Sequence, residues 1–93
     1  MLTFNDRLSV PPDVLVREVT GETILLNQAT GCYFTLDDVG TRIWKLIVQH
    51  QCLELVRRDL LQEYDVDPRQ LERDLLAFSD QLAANDLLRV TAP

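Results

Sequence analysis

Ninety-three residues, 46% of them hydrophobic, make one domain with a modest core rather than a disordered chain. A formal net charge of −6 argues against a dedicated nucleic-acid binder, which carries a basic face. The start, MLTFNDRLSVPP, lacks the basic region and long apolar run of a signal peptide, and no window approaches the roughly 18 apolar residues of a membrane span, so a cytoplasmic location and no membrane partner are expected.

Residues 1–13 contain Pro11-Pro12 and read as an arm leading into the domain. Leu2, Phe4, Leu8 and Val10 can pin that arm to the body; a loose terminus is the competing reading. The domain itself is expected over 14–90, with 91–93 as a tail. Val14 to Val19 reads as a strand, with Val14 and Val16 on one side and Leu15 and Val19 on the other. Thr20-Gly21 supplies a tight turn, since glycine adopts positive φ without cost. Glu22 to Asn27 returns, Asn27 to Gly31 is rich in turn formers, and Cys32 to Leu36 is a third strand of β-branched and aromatic residues. Three short strands on tight turns form an antiparallel meander, and an outer strand must keep open backbone donors and acceptors.

The period then changes. Val39, Ile43, Leu46 and Ile47 share one face of a helix running to about Gln49, capped by Asp37 or Asp38. Gly40 in its first turn reads as a close-packing point and Trp44 as a core anchor. A second helix is expected from about Cys52 to Tyr64, with Leu53, Val56, Leu60 and Tyr64 as its apolar stripe and Arg57, Arg58 and Asp59 on a solvated face. Asp67, Pro68 and Gln70 read as a capping box opening a third helix, in which Leu71, Leu75, Phe78 and Leu82 recur at helical spacing. That helix is expected to end near Asn85-Asp86, where asparagine tolerates the left-handed conformation. Leu87, Leu88 and Val90 form a short apolar tail tucked against the core. The fold class expected is α+β: a winged helix-turn-helix with a three-stranded N-terminal antiparallel sheet followed by three helices.

No catalytic constellation is visible. His50, the only histidine, sits between two predicted helices with no nucleophile tied to it, and reads as solvent-facing. The three glycines are too dispersed to cradle a phosphate. Cys32 and Cys52 read as packing residues rather than a disulfide, and with His50 they make no ligand spacing, so neither metal nor cofactor is expected. A non-enzymatic binding module remains. One mode is an extended peptide pairing with an open sheet edge. The alternative is a winged-helix DNA-binding regulator, whose third helix offers Arg69, Gln70 and Arg73 but also Asp67, Glu72, Asp74 and Asp80, which phosphates repel. A third is a small subunit that only stabilises a larger enzyme.

ILLNQATGCYFTLDDVGTRIWKLI, residues 24–47, resembles the Leu-Asn-x-x-Thr-Gly-x-Tyr-x-x-Leu-(Asn/Asp)-x-x-Gly-x-x-Ile-Trp signature of the PqqD-like family. DLLQEYDVDPRQLERDLLAFSDQLAANDLL, residues 59–88, resembles that family's second half, with its Tyr-Asp-Val-Asp junction. The resemblance implies a RiPP recognition element: a domain that binds the leader segment of a ribosomally made precursor peptide and delivers it to a modifying enzyme. It implies that the leader adds as a strand beside the third strand and lies against the third helix. Carried onto this sequence, the peptide-binding residues are Cys32, Tyr33, Phe34, Thr35 and Leu36 on the strand and Leu71, Asp74, Leu75 and Phe78 on the helix. Because one face of each element must be core, about half of these are expected to serve packing. The Thr-Gly-x-Tyr turn and the Ile-Trp pair resemble the stand-alone proteins of lasso-peptide pathways. That implies a separate, transglutaminase-like leader peptidase as partner and a tyrosine and a proline of the leader in the pocket; a radical-SAM enzyme is the partner in the quinone-cofactor pathway. Cys32 departs from the polar or basic residue expected between the glycine and the tyrosine. A monomer or weak dimer is expected, since an open edge can pair with a second copy.

Overall fold

The structure is a computed structural model and describes residues 2–92; Met1 of the expected arm and Pro93 of the expected tail lie outside the described residues. The element order is β1 (Arg7–Ser9), β2 (Val14–Val19), β3 (Glu22–Asn27), β4 (Tyr33–Leu36), α1 (Asp38–His50), α2 (Leu53–Glu63), α3 (Pro68–Ala84) and β5 (Arg89–Thr91). This is the α+β arrangement expected, a meander followed by three helices, with one small sheet added.

The meander has strand order β2-β3-β4 and is antiparallel throughout. Gly21 and Gly31 stand at φ +77 and +78 in open space, so their role is conformational. Asn27 organises the second turn. Its Oδ1 accepts from the N–H groups of Ala29 (2.9 Å) and Thr30 (3.2 Å), and its Nδ2 donates to the Asp86 carbonyl (2.6 Å). One buried amide thus shapes the β3–β4 hairpin and ties it to the chain beyond α3.

Asp37 caps α1 by accepting from the Gly40 N–H at 2.8 Å. Gly40 is the close-packing point expected: a Cβ there would lie 3.3 Å from Asp37 Oδ1 and 3.4 Å from Leu36 Cβ. Ile43, Trp44, Leu46 and Ile47 are buried, whereas Val39, expected on the same face, is 53% exposed. It belongs to the first turn, where it lines an open groove beside β4 and not the core. The Thr41 hydroxyl bonds that of buried Thr23 at 2.8 Å and fixes α1 on the sheet. Leu53, Val56 and Leu60 of α2 are buried, and Tyr64, at the helix end, is exposed. In α3 the Asp67 cap forms, accepting from the Arg69 N–H at 2.9 Å. The expected box does not close, because the Gln70 amide turns to Asp74 one turn on (2.8 Å). The left-handed residue after α3 is Asp86 (φ 57), not Asn85.

The arm is part of the folded body. β1 pairs with β5 in a two-stranded antiparallel sheet, Arg7↔Thr91 to Ser9↔Arg89, and Leu8 is fully buried. The Phe4 carbonyl accepts from the Glu54 N–H (3.1 Å) and the Cys52 thiol (3.2 Å). Arg57 lies 5.5 Å over the Phe4 ring and bonds both Glu54 and Glu72. The Arg57–Asp59 face of α2 is therefore cross-linked to its neighbours, not simply solvated. His50 closes α1 rather than standing in a loop; half-buried, its Nε2 lies 2.6 Å from Asp59 Oδ2. Leu87 and Leu88 are buried, as the apolar tail implies, and Val90 carries on into β5 with its side chain exposed. Leu25, Trp44, Ile47, Leu60, Leu75 and Leu82 bring sheet and helices to one core.

Candidate functional site

β4 is an edge of the meander, and its register settles which atoms face outward. The Asn27 N–H donates to the Cys32 carbonyl at 2.9 Å, so that opposed pair is hydrogen-bonded. Bonded and non-bonded pairs alternate along an antiparallel ladder. Leu25↔Phe34 and Thr23↔Leu36 are then the bonded pairs, and Leu26↔Tyr33 and Ile24↔Thr35 are not. The N–H and C=O groups of Tyr33 and Thr35 consequently point away from the sheet, toward an empty strand position.

Beside that edge runs a groove of about 470 Å³. One wall is Phe34, Thr35 and Leu36 of β4, its end is closed by Asp37, Val39, Gly40 and Ile43, and the opposite wall is Asp74 and Phe78 of α3, with Glu22 at the rim. The wall is local in origin. α1 begins immediately after β4, so its first turn must lie against the strand it leaves, and Gly40 permits that contact. Asp74 and Phe78 are four apart on α3 and share a face.

The expected binding residues separate into three groups. Phe34, Thr35, Leu36, Asp74 and Phe78 meet at the groove. Tyr33 is 70% exposed, on the outer face of the sheet, and Cys32 lies just before β4, half-buried with a free thiol. Leu75 has no exposure and Leu71 packs half-buried against the core, both behind the groove wall rather than on it. The groove adds Glu22, Asp37, Val39, Gly40 and Ile43, which sequence reasoning did not place there. The signal available was the absence of any linker between β4 and α1.

The groove floor is apolar and its rim acidic. Glu22, Asp37 and Asp74 carry its charge, and among the described residues no cation lines it and none of the three is in an ion pair. Asp37 is engaged by its cap bond and Asp74 by the Gln70 amide, both neutral donors. No group of three or more metal-ligating side chains occurs among the described residues, and none of the helices there is long and apolar enough to cross a membrane. The site offers unpaired backbone groups, an apolar trough and carboxylates, a set suited to holding an extended peptide.

Comparison with known proteins places this fold in a family. The family described as "Coenzyme PQQ synthesis protein D (PqqD)" matches residues 22–88. Among solved structures, "TbiB1 in Complex with the TbiA(beta) Leader Peptide" is 37% identical, with a TM-score of 0.81 over 90% of this chain and 98% of that one. "Lasso peptide synthetase B1 complexed with the leader peptide" is 24% identical, with a TM-score of 0.80 over 89% and 98%, a likeness of fold. A comparison with curated proteins gives no match. The matched span runs from the start of β3, through β4 and all three helices, to the buried Leu88, and so takes in both walls of the groove: the chain belongs to the PqqD family.

Proposed function

We propose that this chain binds the leader segment of a ribosomally made precursor peptide and presents it to a separate enzyme of lasso-peptide biosynthesis. The observation that carries this is the outward-facing backbone of Tyr33 and Thr35 running along an apolar groove closed by Phe78. An extended peptide pairs with that backbone as a fourth strand and lays alternate side chains into the trough. Phe34, Thr35, Leu36, Asp74 and Phe78 contact it directly; Tyr33 and Cys32 flank it; Leu71 and Leu75 hold α3 in place. The family match and the leader-peptide complex of the 37% identical structure support this reading.

The chain acts as a cytoplasmic binding domain, not as an enzyme. Its partner enzyme is a transglutaminase-like leader peptidase, with a radical-SAM enzyme as the less favoured partner. Duplex DNA is disfavoured by the acidic rim and by Asp67, Asp74 and Asp80, all exposed on the α3 side. The test is a titration of the TbiA(beta) leader peptide, and of leaders encoded beside this gene, into isotopically labelled protein. Amide shifts concentrated at residues 33–36 and 74–78 are expected. Saturable binding without shifts there, or no binding to any of these leaders, overturns the reading.

A further inference from the structure

The meander has a second open edge, β2, at the far side from the groove. The two-residue turn Thr20-Gly21 closes on Val19↔Glu22, which makes that pair hydrogen-bonded. Alternation then bonds Arg17↔Ile24 and Leu15↔Leu26, and turns the backbone groups of Val14, Val16 and Glu18 outward. The β4 side agrees, since β3 uses Thr23, Leu25 and Asn27 for that neighbour. Among the described residues, only the Val14 N–H is taken, by the Pro11 carbonyl at 3.1 Å. β2 is six residues long, with no proline and no break in register, so none of the usual devices that blunt an edge is present beyond its two charges.

Next to this edge lies a second groove, of about 410 Å³, lined by Val10, Val16, Trp44 and Val48 with the Glu18–Lys45 ion pair at its rim. Val14, Val16 and Glu18 share the inner face of the sheet with buried Thr23, Leu25 and Asn27, so the side chains of a strand added here lie over that groove at alternate positions. Val16 and Val48 are about half exposed. The groove fits small apolar side chains spaced two residues apart, and β2 itself carries that pattern in Val14 and Val16.

We propose that β2 is the pairing edge for a second copy of this chain, in an antiparallel twofold register centred on Val16. In that register Val16 exchanges two backbone bonds with Val16 of the second copy. The Glu18 N–H donates to the Val14 carbonyl of the second copy, and the reverse, giving four bonds that use the groups left free. Val14 and Val16 of each copy cover the groove of the other. Neighbouring symmetric registers are poorer. One sets Arg17 against Arg17 and another Glu18 against Glu18, like charges directly opposed, while centring on Leu15 leaves two bonds because the Val14 N–H is engaged. The product is one continuous six-stranded sheet whose outer strands are the two β4 edges, both still open. The pairing stands independently of what β4 binds.

The test is sedimentation equilibrium of the full chain from micromolar to millimolar concentration, where the mass should rise from 10.7 kDa toward twice that value. Val16→Glu sets two carboxylates opposite each other on the axis and should weaken the dimer roughly a hundredfold. The unaltered chain gives a second measurement that needs no variant. Hydrogen exchange at the Val16 and Glu18 amides should slow with rising concentration while Tyr33 and Thr35 keep exchanging fast. A chain that stays at 10.7 kDa in the millimolar range overturns the proposal. So does a dimer that survives Val16→Glu in a folded protein, or one that protects Tyr33 and Thr35 in place of Val16 and Glu18.

Discussion

The side of the molecule around α2 and the side around β4 treat their polar groups in opposite ways. Around α2 the charges are paired within the chain: Arg57 joins Glu54 and Glu72 through its terminal nitrogens, though its buried Nε has no acceptor among the described residues, Arg42 joins Glu63, and His50 meets Asp59. Around β4, among the described residues, the backbone of two residues faces no strand and three carboxylates face no cation, Asp37 and Asp74 being held by neutral donors alone. Both sides rest on buried leucines, Leu53 and Leu60 on α2 and Leu25 and Leu36 in the sheet, so the presence of a core does not distinguish them. What does is whether the groups needing partners find them inside the chain. An edge left open in this way is a template for pairing with another chain, and the proposed leader binding makes use of the one at β4.

Substitutions can break this contrast or make it finer. The largest effect is expected at Leu75, which is wholly buried behind the groove wall. Leu75→Ala should cost about 2–5 kcal/mol in urea unfolding, with leader affinity falling only as α3 loosens. Thr35→Pro comes next. Because the Thr35 N–H faces outward, removing it spares the β3–β4 ladder, so a folded protein should lose about 1–3 kcal/mol of leader affinity by calorimetry. If the domain unfolds instead, the assigned register is wrong. Asp74→Ala should weaken binding by about 1 kcal/mol with the unfolding midpoint nearly unchanged, and an unaltered affinity removes Asp74 from the site.

The smallest effect belongs to the closed side and is read by pH. The hydrogen bond with His50, and then that with Arg58, holds the Asp59 carboxyl below its ordinary range. A depressed carboxylate stabilises the fold fully above its unfolded value and loses that contribution as the pH falls through its folded value. Thermal unfolding followed from about pH 5 down to pH 2 should therefore fall less steeply in Asp59→Asn than in the unaltered chain. Leader affinity at neutral pH should be equal in the two.

Much of this was legible in the sequence because it is local. Hairpin turns at Gly21 and Gly31, the Asp37 and Asp67 caps and the stripes of α1 and α2 each depend on residues within one or two turns. The β1–β5 pairing was not legible: three-residue strands show no periodicity, and their partners lie at opposite ends of the chain. Nor did the sequence reveal the rotation of α3, which turns Asp74 and Phe78 to the groove and Leu75 to the core. Leu71, Leu75 and Phe78 form one stripe by spacing, and only packing divides it. His50 was misplaced because its partner, Asp59, stands on the next helix, and Gln70 because its side chain can reach either the cap or Asp74 one turn on within α3. The family signature located β4 and α3 together, which spacing alone could not do.

The β1–β5 pairing also has a kinetic side. Leu8 reaches its neighbours in β5 only after nearly the whole chain has been looped back, and the entropy of that closure is lost before any contact is gained. The meander and the helix pairs close over far shorter spans. The strands at the two ends should then dock last, on the native side of the folding barrier, as a bolt drawn across a body already assembled. Leu8→Ala should accordingly speed unfolding while leaving the refolding rate almost unchanged in stopped-flow measurements.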